Sequence, residues 1–193
     1  MDSNYLTNPA VFLIQALFGF YILLVVLRLL LQWLRADFYN PISQFIVKLT
    51  HPLLRPMRRF IPPLGPLDTS SLLLAWLLKS LEIGLLLTIL GVSVSPLIAL
   101  LWAMPALLQL TLNIFLFAII IQAVLSWINP DPYSPIFGLL NSITRPVLEP
   151  FRRLLPDLGG IDLSPMVAII ALYLLEMLLL PPLKALLGMP LNF

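Results

Sequence analysis

Residues 9–34 read PAVFLIQALFGFYILLVVLRLLLQWL, an apolar run interrupted by the polar residues Gln15, Arg28 and Gln32. An α-helix rises ~1.5 Å per residue, so this run is long enough to cross the ~30 Å hydrocarbon core of a bilayer. Of the 193 residues, 60% are hydrophobic and 10% are charged, whereas ordinary soluble domains carry about 25% charged residues. Because a soluble core of this size cannot hold so much apolar surface, the sequence predicts an integral membrane protein whose first partner is the lipid bilayer.

Three further apolar runs bring the predicted transmembrane spans to four, at about 9–34, 70–90, 104–128 and 165–180. Pro105 fits the first turn of the third helix, where a missing N–H costs nothing, and Pro181-Pro182 is expected to end the fourth. No Lys or Arg precedes the first run, so it lacks the charged region of a cleavable signal and is expected to remain as a span. The predicted fold is an all-α polytopic membrane protein.

A shift of 94 residues aligns the chain with itself. Between residues 33 and 68, 15 of 36 positions are identical to those 94 residues later, including an arginine pair, a glycine and an aspartate in register. Two parallel two-helix repeats are therefore predicted, at 1–96 and 97–193. Because each repeat has an even number of spans, the two inter-span loops, 35–69 and 129–164, are expected to lie on the same side of the membrane.

Basic residues are concentrated in these two loops, and only Lys184 lies on the opposite face. The positive-inside rule therefore predicts that the loops are cytoplasmic and that both termini lie on the opposite side of the membrane. The small net charge of +2 and its clustering predict contact with anionic headgroups and not with nucleic acid. The loop cations are Arg35, Lys48, Arg55, Arg58, Arg59, Arg145, Arg152 and Arg153.

The two loops share the motif Pro-x-Arg-Arg-x-x-Pro-x-Leu-Gly-x-x-Asp-x-Ser, at 56–70 and 150–164. Its prolines and glycine argue against a long helix, while the apolar residues around Lys48 predict short amphipathic helices in the headgroup layer. The motif residues that we expect to bind lipid or a partner are Arg58, Arg59, Gly65, Asp68, Arg152, Arg153, Gly159 and Asp162.

The roles of the motif residues have two interpretations each. The arginine pairs either anchor the topology against anionic lipid or form a binding face for an acidic cytoplasmic partner. Asp68 and Asp162 either cap the N-terminus of the following span or form a salt bridge with the arginine pair ten residues earlier. These two roles of the aspartates are compatible with each other.

Four charged residues inside the predicted spans are expected to form an intramembrane polar centre: Arg28, Lys79, Glu82 and Glu176. Arg28 is close enough to the end of its span to extend its side chain to the interface without a partner. Lys79 and Glu82 share a helix face at spacing i, i+3 and can neutralise each other. Glu176 is expected to be protonated or to pair across the repeat interface with Lys79 or Arg28.

The chain contains no cysteine and one histidine, His51. This composition excludes disulfides, thiol nucleophiles and Cys/His zinc sites. A single loop histidine between Thr50 and Pro52 also leaves little basis for a Ser-His-Asp set. We therefore expect no catalytic residue, no bound metal and no cofactor.

The loop sequences resemble the signature of the YggT (YlmG-like) family. The resemblance rests on residues 37–41, on 56–68 and on the second copy at 145–162, and it covers essentially the whole chain. It implies a non-enzymatic protein of the bacterial inner membrane that is associated with envelope or osmotic stress and, in relatives, with cell division or membrane-complex assembly. It also implies a link to potassium uptake under osmotic stress, and it supplies no catalytic residues.

Two functions follow as hypotheses. In the first, the protein is a scaffold or assembly factor whose cytoplasmic loops dock a membrane-protein partner or a second copy of the chain. In the second, it is a small ion or osmotic transport component, and the polar centre lines a path through an oligomer.

Overall fold

The computed structural model describes residues 4–92, 95–128, 134–155 and 162–190 of the chain, without the side chains of residues 4–6 and 127. These ranges contain helices and a single isolated bridge between Leu64 and Leu67, which confirms the predicted all-α fold. The helices are α1 (Asn4–Trp33), α2 (Pro41–Phe60), α3 (Thr69–Ile89), α4 (Pro96–Ile128), α5 (Pro135–Leu154) and α6 (Ser164–Leu186).

Four of these helices, α1, α3, α4 and α6, are long and apolar enough to cross a membrane. The predicted first and second spans agree closely with α1 and α3. The predicted start of the third span near residue 104 is wrong, because α4 already begins at Pro96. Ser95 explains the earlier start: its Oγ accepts from the Leu97 N–H at 3.2 Å, and Pro96 supplies the fixed φ of a first helical residue. Pro105 then lies inside the helix, where its ring is fully buried.

The predicted end of the fourth span at Pro181-Pro182 is also wrong, because α6 continues through both prolines to Leu186. The φ angle of proline is close to that of a helix. Two adjacent prolines near a helix end therefore remove backbone hydrogen bonds but leave the helical conformation in place. The continuation places Lys184 in the last turn of α6, where it is buried, and not in a C-terminal tail.

The loops contain helices of 20 residues each, α2 and α5, and not the short ones predicted. Pro52 and Pro56 lie inside α2, and Pro146 and Pro150 lie inside α5. Prolines four residues apart occupy one side of a helix, and all four are exposed here. The carbonyl groups that lose their helical partner therefore face outward, where water or headgroups can bond to them, and the helix continues.

The four membrane helices form an open row in the order α1, α3, α4, α6, with each helix packed against the next. In the described residues α1 and α6 do not pack against each other. The helix ends that adjoin α2 and α5 are called the loop-side end below. Near this end α1 also contacts α4, where Leu24 and Leu31 share a core with Ala118. Here α2 lies against α1 and α3, and α5 lies against α4 and α6.

The loop helices are amphipathic, as their sequences predict. The buried residues of α2, Ser43, Ile46, Thr50 and Leu54, recur every three or four positions and face the membrane helices. The N-terminal halves of α2 and α5 also pack on each other. We call the two helices together the platform.

Candidate functional site

Arg28 holds α2 onto α1. The residue is only 4% exposed, and its Nη1 donates to Thr50 Oγ1 at 2.8 Å and to the Val47 carbonyl at 3.2 Å. Arg28 therefore neither extends to the interface without a partner nor belongs to the intramembrane polar centre, and both of these predictions are wrong. Sequence spacing along α1 could not show that a helix of the loop folds back over this side chain.

The second copy uses a neutral version of this contact. Gln122 stands 94 residues after Arg28, and Thr144 stands 94 residues after Thr50. The Thr144 hydroxyl donates to Gln122 Oε1, and both side chains are buried. In both halves, a threonine of the platform thus bonds to a polar residue of a membrane helix.

Asp68 performs both of the roles considered for it. Its carboxylate caps α3 by accepting from the Ser71 N–H at 3.3 Å and the Ser71 hydroxyl at 2.6 Å, and it forms an ion pair with Arg58. The carboxylate is 2% exposed. Burial alone would raise the pKa of Asp68, but the hydrogen bonds from Ser71 and Arg58 outweigh it and hold this pKa below its ordinary value.

Asp162 also accepts from a serine and pairs with an arginine, but it is more exposed and it is not the N-cap residue of α6, which is Leu163. Its carboxylate accepts from the Ser164 N–H at 2.9 Å, in the first residue of α6, and pairs with Arg152 at 2.9 Å. Burial opposes ionisation, but the bonds from Ser164 and then Arg152 hold the pKa of Asp162 below its ordinary value. The two carboxylates differ mainly in exposure, since 46% of the Asp162 side chain is accessible.

The turn between α2 and α3 depends on Gly65. Gly65 has a φ of 62°, a left-handed conformation that favours glycine, and the neighbouring Leu64 and Leu67 exchange backbone hydrogen bonds of 3.1 and 3.2 Å. The matching Gly159 lies outside the described residues, so its predicted role stays a prediction.

Three cations on the outer face of α2 have no partner among the residues that the structure describes. Lys48, Arg55 and Arg59 lie at spacing i, i+7, i+11, which places them on one stripe of the helix. All three are exposed, and none forms an ion pair or hydrogen bond with another described residue. We call these three residues the α2 stripe.

The matching stripe of α5 is neutralised within the chain. Its residues are Ser142, Glu149 and Arg153, each 94 positions after a member of the α2 stripe. Glu149 accepts from Arg153 at 2.6 Å and from Arg145 at 3.3 Å. These hydrogen bonds hold the pKa of Glu149 below its ordinary value, and the bond from Arg153 has the larger effect. The platform is therefore electrostatically asymmetric: Arg145 and Arg153 of α5 share one carboxylate, whereas the three cations of the α2 stripe have none among the described residues.

Asn40 joins the two platform helices at their N-termini. Its Oδ1 accepts from the Ile42 N–H at 2.9 Å and caps α2, while its Nδ2 donates to the Pro135 carbonyl at 2.5 Å. Behind this contact, Ile46 packs with Leu139 and Ile143. The two helices therefore form one connected surface.

A polar cavity of about 380 Å³ lies between α1, α3 and α4. The Lys79 ammonium bonds to Glu82 Oε2 at 2.8 Å in its wall, which confirms the predicted local pair. The amide side chains of Gln15, Gln109 and Asn113 also line this first cavity.

A second cavity of about 370 Å³ lies between α4 and α6 and is lined by Gln109, Tyr173, Glu176 and Lys184. Gln109 Nε2 donates to Glu176 Oε1 at 3.3 Å. Glu176 forms no salt bridge within the described residues, so its predicted pairing with Lys79 or Arg28 is wrong. Its protonation stays a prediction.

Sequence reasoning missed the amides and the second lysine of these cavities. Gln15 and Gln109 stand 94 residues apart, as do Glu82 and Glu176, so the internal alignment contained the signal for both glutamines. The two prolines before Lys184 predict the end of the helix there and so place this lysine in the tail, whereas the structure places it in the last turn of α6. What these cavities offer is hydrogen bonding and charge pairing, since no three His, Cys, Asp or Glu side chains converge anywhere among the described residues.

Comparison with known proteins gives the family. The sequence model of the CCB3/YggT family matches residues 7–90 and 101–183. A protein of Pseudomonas aeruginosa is 48% identical over 187 residues, which cover 96% of this chain and 95% of the relative. The YggT protein of Escherichia coli is 39% identical over 172 residues, or 88% of each chain. The chloroplastic YlmG homolog protein 2 of Arabidopsis thaliana is 38% identical over 61 residues, which cover 32% of this chain and 24% of the relative.

No solved structure matches this chain. The names of these relatives state no reaction, so membership of the family does not by itself assign an activity. The family match covers most of the sequence, and the fold supplies four helices suited to span a bilayer. The chain is therefore a multi-pass membrane protein that belongs to the CCB3/YggT family.

Proposed function

We propose that this protein is a non-enzymatic scaffold or assembly factor of the bacterial inner membrane, acting in envelope or osmotic stress or in division-related membrane organisation. Its platform docks an acidic cytoplasmic segment of a partner membrane protein. The observation that carries the proposal is the α2 stripe: Lys48, Arg55 and Arg59 are exposed, have no partner among the described residues and lie on a helix that other residues bond to the membrane helices.

The cytoplasmic position of the platform rests on charge distribution. Eight loop cations lie at or near the loop-side end, and Lys184 lies toward the other end of the row. The positive-inside rule then favours a cytoplasmic platform with both termini outside. Anionic headgroups are expected beside the same helices.

The rigidity of α2 supports a binding role more than a simple topology anchor. Arg28 bonds to Thr50, Tyr21 bonds to the Leu49 carbonyl at 3.3 Å, and Arg58 bonds to Gln32 at 3.3 Å and to Asp68. A topology anchor needs only positive charge near the membrane, whereas a docking surface gains affinity when the helix that carries its side chains is held in place before binding.

The difference between the two halves also supports docking at α2. Arg55 and Arg59 are like charges at spacing i, i+4, which destabilises a helix slightly. In α5 the residue that matches Arg55 is Glu149, so this repulsion is absent there. An anionic partner segment would relieve this repulsion on α2. On α5, such a segment would have to compete with the Glu149 carboxylate for the arginines.

Charge reversal at matched positions tests the proposal. Arg59→Glu and Arg153→Glu change equivalent residues of the two copies, so both alter the net charge by the same amount. We expect Arg59→Glu to abolish crosslinking to the partner in native membranes, with membrane insertion unchanged, and Arg153→Glu to retain most of it. Equal losses in the two variants would show that total charge matters and would remove the docking site from α2.

A second candidate function is supported by the two polar cavities. In this alternative, the protein is a component of ion uptake, potassium included, or of osmotic transport, and Lys79, Glu82 and Glu176 line the path. Charged residues at membrane depth commonly mark such paths. Ion flux in reconstituted liposomes that is lost on substitution of Glu82 and Glu176 would favour transport, and absence of flux at every lipid composition would reject it.

A further inference from the structure

The contact between the two halves of the chain joins two different faces of the repeated unit. Within the chain, α3 of the first half packs against α4 of the second. The Trp76 indole N–H donates to the Leu100 carbonyl at 2.8 Å, and a Cβ added at Gly84 would lie 4.0 Å from Ala99 Cβ. Because α4 corresponds to α1 and α6 corresponds to α3, this contact is head-to-tail. It therefore leaves the matching faces of α6 and α1 unused at the two ends of the row.

The unused face of α6 is apolar and exposed. Three α3 residues that face α4 have leucine or isoleucine 94 positions later on α6: Ile170, Leu174 and Leu178, in place of Trp76, Ser80 and Gly84. Ser80 is 8% exposed, whereas Leu174 is 54% exposed. By contrast, Ala168 is buried against α4, just as its counterpart Leu74 is buried in a core that includes residues of α1. The helix α6 is thus packed on one of the two sides that α3 uses.

At the other end of the row, α1 presents the complementary face. Three α4 residues that pack with residues of α3 have exposed counterparts 94 positions earlier on α1: Pro9, Phe12 and Leu13, in place of Ala103, Ala106 and Leu107. Within the part of the chain that the structure describes, α1 and α6 do not contact each other. The two faces therefore do not cover each other inside one chain.

The platform repeats this arrangement outside the membrane spans. Leu139 and Ile143 of α5 are buried in one core with Ile46 of α2. Their counterparts on α2 are Phe45 and Leu49, which are exposed. Burial of such apolar side chains away from water is favourable. A surface that matches the α5 side of the contact is thus present on α2 and is not covered by the chain itself.

We propose that a second copy of the chain covers these faces, with α6 of one copy packed on α1 of the other and α5 beside the other copy's α2. Exposed apolar faces alone would not support this contact, because lipid tails cover them equally well. The support is the correspondence: α3, α4 and α5 each use a face between the halves whose counterpart is exposed. Head-to-tail contacts close into rings, and the smallest ring here contains two chains. This inference is independent of the docking proposal, since it does not use the α2 stripe.

The contact between copies should be weaker than the contact within the chain. Leu178 in place of Gly84 prevents the closest approach of the two helices, and Ile170 in place of Trp76 cannot donate the indole hydrogen bond. The contact is therefore best detected in native membranes, before detergent dilutes the protein.

Cysteine crosslinking in native membranes tests the proposal, since the chain contains no cysteine of its own. One chain carries Leu174→Cys, and a second chain with a different tag carries Pro9→Cys, Phe12→Cys or Leu13→Cys. A disulfide requires Cβ atoms about 3.5–4.5 Å apart. We expect oxidation to join the two tags in a covalent dimer for at least one of these three pairs.

Two controls accompany these pairs. Leu179→Cys replaces Leu174→Cys at an exposed position of α6 whose counterpart, Leu85, is also exposed on α3, so it should give no dimer. Gly84→Cys with Ala99→Cys in one chain should form a disulfide within that chain, which shows that the oxidant reaches helices at this depth.

The platform part of the contact has its own variant. Phe45→Ser with Leu49→Ser, added to the chain of the most productive pair that carries the α1 cysteine, should lower the dimer yield about fivefold or more, since two apolar anchors are removed. An unchanged yield in this variant, equal yields from Leu174→Cys and Leu179→Cys, or no dimer from any of the three pairs while the disulfide between positions 84 and 99 forms, would overturn the proposal.

Discussion

Replacement of Asp68 by alanine should destabilise the protein more than replacement of Asp162 by alanine, although the two aspartates occupy matching places in the repeat. Both cap or precede a membrane helix, and both pair with the first arginine of an arginine pair. The difference between them is burial: the Asp68 side chain is 2% exposed and the Asp162 side chain is 46% exposed.

The magnitude follows from the contacts of each carboxylate. Loss of the α3 cap by Asp68→Ala costs about 1 kcal/mol, and loss of a buried charge-assisted bond to Arg58 costs about 2 kcal/mol more. At Asp162 the bond to Ser164 contributes about 1 kcal/mol, while an exposed ion pair to Arg152 adds less than about 1 kcal/mol. The expected losses in free energy of unfolding are therefore about 3 kcal/mol and 1 to 2 kcal/mol.

Reversible unfolding in mixed detergent micelles, followed by circular dichroism, measures both losses. Asp68→Asn is the useful intermediate, because an asparagine can still cap α3 but cannot pair with Arg58 as a charge. Asp68→Asn should therefore keep the stabilisation by the cap, about 1 kcal/mol, and lose only that of the ion pair. Equal losses for Asp68→Ala and Asp162→Ala would show that burial of the carboxylate does not govern its contribution, and the reasoning would be refuted.

Three further predictions concern the platform and its turn. The pKa of Asp68 lies below its ordinary value in the folded protein, so its contribution to the free energy of unfolding is complete at neutral pH and is lost as the pH falls through the folded pKa. The free energy of unfolding should therefore depend less on acid pH in Asp68→Asn than in the unchanged protein. Arg28→Gln should cost less than about 1 kcal/mol because Gln122 makes the matching contact in the second copy, whereas Arg28→Leu should cost about 2 kcal/mol, measured by the same unfolding assay. Gly65→Ala should cost about 1 kcal/mol through its φ of 62° alone, since an added Cβ meets no atom within 4 Å, and Gly65→Asn should cost less.

The membrane helices could be predicted from hydropathy because lipid requires long apolar runs whatever the tertiary packing. The pairing of Asp68 with Arg58 could also be anticipated, since the ten-residue spacing recurs in both copies. The length of α2 could not be predicted, because the cost of a proline depends on whether the carbonyl it leaves unbonded is buried or exposed. That property depends on how the helix docks and not on the local sequence.

The intramembrane residues show the same limit. Lys79 and Glu82 pair within one helix, so their spacing was sufficient to predict the contact. Arg28 and Glu176 bind to other helices, and helical periodicity alone does not say which helix lies opposite. The internal alignment does mark Gln15 and Gln109 as equivalent, but it does not show which side chains they face.

The central claim is that α2 presents unpaired cations to an acidic partner. A photo-crosslinking residue in place of His51, an exposed position of α2 three residues after Lys48 and four before Arg55, tests it most directly in native membranes, with Met177 on the exposed face of α6 as the control. We predict a crosslink from position 51 to an acidic protein segment that disappears when Arg55→Glu and Arg59→Glu are added, and no such crosslink from position 177. Crosslinks to lipid alone at position 51, or a protein crosslink that survives both charge reversals, would contradict the claim.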